Sequence, residues 1–127
     1  MDYPENLLYT EEHEWADYNE DAGTVTIGIT DFAQSELGDI VFLELPDVSE
    51  EISAGDVLGT IEAVKTVADI YSPVSGTVSG INEELEDSPE LVNDDPFGDG
   101  WIVKVTVSEP AELEELLSID EYKKLID

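Results

Sequence analysis

The chain has no cysteine, no arginine and a single histidine, and each shortage removes a class of chemistry. Without cysteine there are no disulfides, no thiol nucleophile and no zinc–thiolate site. With one histidine besides, a transition-metal site would need carboxylates alone, so we expect no metal. Four lysines stand against 33 acidic residues, for a net charge of −29. Duplex binding rests on lysine and arginine neutralising phosphates, so no nucleic acid partner is expected. An anionic membrane surface is excluded by the same argument. The opening Met-Asp-Tyr-Pro-Glu-Asn has neither a basic nor an apolar leader. No run approaches the ~18 apolar residues of a membrane span. We therefore expect a soluble, cytoplasmic protein.

What is present is a set of clean hydrophobic alternations. Low hydrophobicity with high charge usually signals disorder, but 41% of these residues are hydrophobic and fall at strand spacing. We expect one folded domain over residues 1–127 with a modest core. Its acidic coat costs stability through self-repulsion that salt would screen. Such a coat suits a salt-rich cytoplasm, as in halophiles.

Along the chain, 14–18 and 24–29 read as strands joined by the turn Asn19-Glu-Asp-Ala-Gly23. Asp31 followed by Gln34 is an N-cap signature, and Gly38 a stop, for a helix over 32–37. Further strands are expected over 39–45, 57–63, 67–71 and 76–81, with a loop from 86 to 100. Asn82 is placed to cap a single helical turn. Trp101, Val103, Val105 and Val107 alternate with Ile102, Lys104 and Thr106, as in a half-buried strand. Ser108 is expected to start a C-terminal helical tail, about 109–126, with Pro110 in its first turn. Ser118 and Glu121 form a second capping box, and Lys123 and Lys124 suit a helix end. Many short strands with little helix imply a mainly β sandwich or flattened barrel with short peripheral helices.

Three of the four lysines have ordinary explanations on this map; Lys65 does not. It lies between the strands 57–63 and 67–71, at the crest of a hairpin. A catalytic lysine needs a depressed pKa, whereas Glu62 and Asp69 supply the opposite field. Lys65 suits an amine acylated by another enzyme, projected by rigid strands. The segment Glu62-Ala-Val-Lys-Thr-Val67 has no Gly, Asn, Asp or Pro, the residues that make tight turns easy. Such a conflict with turn chemistry marks functional places. A plain surface lysine in a continuous strand is the alternative.

The segment from Glu62-Ala-Val-Lys65 to Tyr71-Ser-Pro-Val-Ser-Gly76 resembles the lipoyl-attachment hairpin of glycine cleavage system H proteins. Thr10-Glu-Glu-His-Glu-Trp15, Gly28-Ile-Thr-Asp-Phe-Ala-Gln34 and Gly38-Asp-Ile-Val-Phe-Leu-Glu-Leu-Pro46 are similar to that family too. So are Asn82-Glu-Glu-Leu85, Ser88-Pro-Glu-Leu-Val-Asn93 and Pro96-Phe-Gly-Asp-Gly-Trp101, in order and at similar spacing. The likeness covers nearly the whole chain. It implies a barrel-sandwich hybrid (lipoyl/biotinyl hammerhead) fold with lipoate in amide linkage to Lys65. The protein would then be a carrier rather than an enzyme. It would shuttle an aminomethyl group on the lipoyl-lysine arm from the glycine decarboxylase (P protein) to the aminomethyltransferase (T protein). Dihydrolipoamide dehydrogenase (L protein) would reoxidise the dithiol, and a lipoate-attaching enzyme would load Lys65. By the same resemblance Glu14 and Asp69 contact the amine of the loaded arm in a cleft, a sound pairing of carboxylate and cation. Glu12 and Glu36 depart from some relatives, which carry Ser and His there.

Other constellations are weaker. His13 suits a structural hydrogen bond, and Trp15 and Trp101 suit core or cleft wall. Asn93-Asp-Asp-Pro-Phe-Gly98 hints at a calcium loop, but Phe97 and Lys104 occupy positions that need oxygen ligands. No nucleophile motif supports a hydrolase. Rival readings are a biotinyl or other lipoyl swinging-arm domain, and an acidic interaction domain with Lys65 unmodified. Biotin acceptors usually flank the lysine with Met; here Val64 and Thr66 do so.

Overall fold

The computed structural model describes residues 4–126, and all its strand pairing is antiparallel. Leu8–Tyr9 (β1), Glu14–Asn19 (β2), Thr24–Ile29 (β3), Ile40–Glu44 (β4), Glu51–Ile52 (β5), Val57–Ala63 (β6), Val67–Tyr71 (β7), Gly76–Ile81 (β8) and Val103–Val107 (β9) make two antiparallel sheets. One has the order β1-β2-β3-β9-β8-β5 and the other β4-β6-β7. The helices are Asp31–Leu37 (α1), Glu84–Asp87 (α2), Leu91–Asp94 (α3) and Ile119–Ile126 (α4), with a 3-10 segment over Pro110–Glu115. Mainly β, two sheets, short helices and a helix at the C-terminal end: this is the expected class, and it agrees with a barrel-sandwich hybrid.

Period-2 alternation places the core. Val25 and Ile27 on β3, Val103 and Val105 on β9, and Val78 on β8 face Ile61 on β6 and Ile70 on β7. All are buried, and each contributes roughly 1.5–3 kcal/mol against the repulsion of the coat. Gly23, at φ +70°, closes the β2–β3 turn by donating to the Asn19 carbonyl. Gly28 is required by proximity instead: a Cβ there would stand 2.6 Å from the Trp15 indole. Trp15 is itself fixed by its Nε1–H, which donates to the Pro96 carbonyl at 2.9 Å.

Four local expectations are corrected. The N-cap of α1 is Thr30, whose hydroxyl accepts from the Ala33 N–H at 3.2 Å. Asp31 is already helical and accepts from the Gln34 side-chain amide instead; Gly38 ends the helix as expected. The loop over 86–100 contains α3, because Val92 is fully buried and needs a helical turn to reach the core. Ile102 is buried rather than outward. It precedes β9, and its N–H donates to the Ile27 carbonyl, so alternation begins only at Val103. Ser108 does not start a continuous helix: the 3-10 segment is capped by Glu109. Leu117 then pairs in extended form with Tyr9 through two backbone bonds of 2.8 and 2.7 Å. Only after that does the Ser118–Glu121 capping box start α4.

Asn82 serves otherwise than as the cap expected of it. Buried after β8, its side-chain amide donates to the carbonyls of Asp99 and Trp101, while its Oδ1 accepts from Glu84 N–H. One side chain thus ties β8, α2 and the approach to β9. Glu83, not Asn82, holds the N-cap position of α2.

Candidate functional site

The β6–β7 hairpin has its last ladder pair at Glu62 and Val67, followed by a bond from Ala63 N–H to the Thr66 carbonyl. That leaves Val64 and Lys65 as the two crest residues. Among the described non-glycine residues only His13 and Ser49 have positive φ. The crest therefore turns with ordinary negative φ, which is why it needs no Gly or Asn. Val64 N–H also donates to the Asp39 carbonyl, pinning the crest to the start of β4. Lys65 is exposed, flanked by Val64 and Val67 at 70% and 60% exposure. Exposed valines beside an exposed amine make a contact surface in a chain otherwise coated with carboxylates.

One strand away lies a cleft of about 440 Å³. Its apolar lining comes from Ile29, Ile61, Ala68 and Ile70 on the strands and from Phe32, Ala33 and Leu37 on α1. Its polar lining is Glu12, His13, Glu14, Glu36 and Asp69. A smaller cavity lined by Gly38, Asp39, Val64 and Lys65 lies beside it, with Leu37 between the two. Asp69 is four residues beyond Lys65, roughly 13 Å along an extended strand. The structure thus brings Glu14 and Asp69 into one cleft and leaves Lys65 outside, at its edge.

Glu14 is the unusual member, at 2% exposure. One carboxyl oxygen accepts from the Thr10 hydroxyl at 2.7 Å, the other from Tyr71 N–H at 3.1 Å. Burial pushes its pKa up to about 7; the two hydrogen bonds act the other way, and nearby Glu12 adds to the rise. The bend before β2 produces this placement. Thr10 Oγ1 accepts from the N–H groups of Glu12 and Glu14, and His13 takes φ +69°. Asp69 on β7, paired with Thr60 on β6, is exposed and lines the cleft.

His13 makes the structural hydrogen bond expected of it, its Nδ1 2.8 Å from the Tyr122 hydroxyl. Burial lowers its pKa below the ordinary value, opposed by Glu12 and Glu36, so the ring is mainly neutral at pH 7. The cleft therefore presents carboxylates without a fixed cation of its own from this ring. An apolar trough ending in carboxylates suits a flexible apolar chain with a cationic tip. Sequence reasoning missed Thr10, Tyr71 and Tyr122. Thr10 had a signal, a hydroxyl four residues before Glu14; Tyr71 acts through its backbone, and Tyr122 is 109 residues from His13.

Comparison with known proteins points to one family. The profile of the glycine cleavage H-protein family matches residues 7–127. A Listeria monocytogenes glycine cleavage system H protein is 54% identical over 127 residues, covering all of both chains. The Carboxydothermus hydrogenoformans protein of that name is 56% identical over 124 residues, or 98% of this chain and 94% of its own. The crystal structure of a glycine cleavage system H protein from Mycobacterium marinum superposes with a TM-score of 0.88. It shares 38% identity and covers 96% of this chain and 97% of its own.

Proposed function

This chain belongs to the glycine cleavage H-protein family, and from that premise we propose that Lys65 carries lipoate in amide linkage and that the Glu14–Asp69 cleft shelters the charged arm. As an H protein it is the carrier component of the glycine cleavage system and not itself a catalyst. The observation that carries the site reading is an exposed crest lysine on the same hairpin that lines a cleft of apolar side chains and carboxylates. When attached, the lipoyl dithiolane supplies a redox-active carrier for the aminomethyl group.

The residues of this chain do the rest. The β6–β7 hairpin presents Lys65 to the enzyme that attaches lipoate. Ile29, Ile61 and Ile70 take the apolar length of the arm and keep water from it, and Glu14 and Asp69 hold its ammonium tip. The partners on this reading are the P, T and L proteins of the system and the lipoate-attaching enzyme. Among the described residues no helix is long and apolar enough to cross a membrane, and a cytoplasmic location fits the composition. We read residues 1–127 as one lipoyl-carrier domain.

The test is intact mass and peptide mapping of the protein purified from its own cells. A lipoyl increment on the peptide holding Lys65 is the expected result. A biotin increment there would keep the fold and replace the pathway, and an unmodified Lys65 in lipoylating cells would overturn the carrier reading.

The acidic coat is proposed to be an adaptation to salt. With 33 carboxylates and four lysines, unfolding stability should rise from millimolar to molar salt as repulsion is screened. Denaturant melts across that range check it; a flat curve would remove the halophilic interpretation.

A further inference from the structure

Tyr122 is remote from the cleft in sequence yet reaches a residue that lines it. Its side chain is fully buried, and its ring stacks on Tyr9 at 4.9 Å and 13°. Its hydroxyl lies 2.8 Å from His13 Nδ1 and 2.8 Å from Thr30 Oγ1. Those two residues are backbone neighbours, Thr30 N–H donating to the His13 carbonyl at 3.0 Å, where the start of β2 meets α1. His13 lines the cleft between Glu12 and Glu14. Thr30 is the N-cap of α1, the helix that supplies Phe32, Ala33, Glu36 and Leu37 to the cleft. The His13 ring also meets Phe32, with centroids 4.8 Å apart.

We propose that Tyr122 is a positioning residue for the arm cleft: its hydroxyl braces the His13 ring against the cap of α1, so the C-terminal helix fixes how that ring lines the cleft. This rests on the reading that the cleft receives the charged arm. The mechanical logic is short. α4 is anchored to β1 by the Tyr9–Tyr122 stack, and the chain just before it is anchored by the Leu117–Tyr9 backbone pair. From that base one oxygen meets two side chains, that of a residue at positive φ just before β2 and that of the N-cap of the seven-residue α1. Without the hydroxyl, buried Thr30 loses one of its partners and the His13 ring is free to turn outward. The first is the cost of a lost buried hydrogen bond.

His13, the only histidine of the chain, reports the brace without any arm present. It is faced by Glu12 and Glu14 from its own segment, Glu36 from α1, Asp69 from β7 and Tyr122 from α4. Burial holds its titration midpoint down. A ring released to water should titrate higher, toward the ordinary value or beyond it, since Glu12 and Glu36 remain near.

The experiment compares the full chain with Tyr122→Phe, which keeps the stack on Tyr9. The His13 imidazole is titrated by NMR in unmodified protein. Ammonia release from the aminomethyl-charged carrier alone is then timed, well below the thermal midpoint. We expect a raised His13 midpoint and ammonia release faster by about fivefold, the equivalent of one net hydrogen bond. A parental midpoint, or a parental release rate while Glu14→Gln with Asp69→Asn speeds release, overturns the brace. So does equal acceleration in Val78→Ala, a core change in β8 away from the cleft. If the Glu14 and Asp69 pair leaves release unchanged, the sheltering reading fails and the His13 midpoint alone decides the brace. Should Tyr122→Phe not fold, His13→Asn takes its place with the release readout. Asparagine tolerates positive φ, and this change cuts the same brace at its other end; a parental rate there overturns the proposal.

Discussion

Replacing Lys65 with arginine is expected to abolish glycine-dependent turnover in a system reconstituted from the P, T and L proteins, while the thermal midpoint hardly moves. The loss should be complete because acylation needs a primary amine with a lone pair. Guanidinium keeps the positive charge but stays protonated and is not an acyl acceptor. The fold should survive because Lys65 is exposed and the crest turns at negative φ, which arginine adopts as readily. Surface changes of this kind are usually within about 0.5 kcal/mol. Lys104→Arg is the matched control. Lys104 is exposed on β9, 5.0 Å over the Trp101 ring, outside the site, and its replacement should leave turnover at the parental level. Turnover retained by the Lys65 variant would remove the attachment site from our proposal; loss in both would point to a general effect of losing lysine.

Glu14→Gln is expected to make the protein more stable at pH 8 and no more stable at pH 4. The sign follows from where the proton sits. The carboxyl has a pKa of about 7 in the folded chain against 4.5 as its reference. Between those values the native state holds more protons than the unfolded one, so stability falls as pH rises. The favourable contribution is fully present below pH 4.5, and it is lost by the time pH passes 7. Glutamine cannot ionise and escapes that loss, so the variant gains on the order of 3 kcal/mol relative to the parent above pH 7. It fits the site: its oxygen can accept from Tyr71 N–H while its amide faces Thr10. The measurement is the difference between parent and variant in denaturant melts from pH 4 to pH 8, which cancels the other carboxylates. A difference that does not change with pH would show that Glu14 titrates normally. The same buried carboxyl is the one proposed to hold an ammonium, and a cation beside it would favour its ionised form. A group that destabilises the resting fold while serving the loaded one is a familiar exchange of stability for function.

The sequence by itself determined the two strands around Lys65, whose bounds at 57–63 and 67–71 match β6 and β7, because alternation over several residues has one buried phase. It determined the β class and the Ser118–Glu121 capping box for the same reason: each signal is local and periodic. It also drew attention to Lys65, since only four lysines stand against 33 acids and the other three have ordinary places in a strand and a helix end.

What depends on unpaired backbone or on one buried side chain was not legible. Ile102 broke the expected alternation because its N–H is taken by Ile27. The tail broke at Leu117 because Tyr9 needed a partner there. Glu14 is one acid among many in the sequence; only tertiary packing makes it the one whose carboxyl is out of water and bonded by Thr10 and Tyr71. The cleft itself is lined from β2, β3, β6, β7 and α1 together, and its proposed brace spans 109 residues to α4. Local patterns specify elements, because backbone hydrogen bonding and side-chain period act over a few residues. Desolvation and the meeting of remote side chains exist only once those elements have packed.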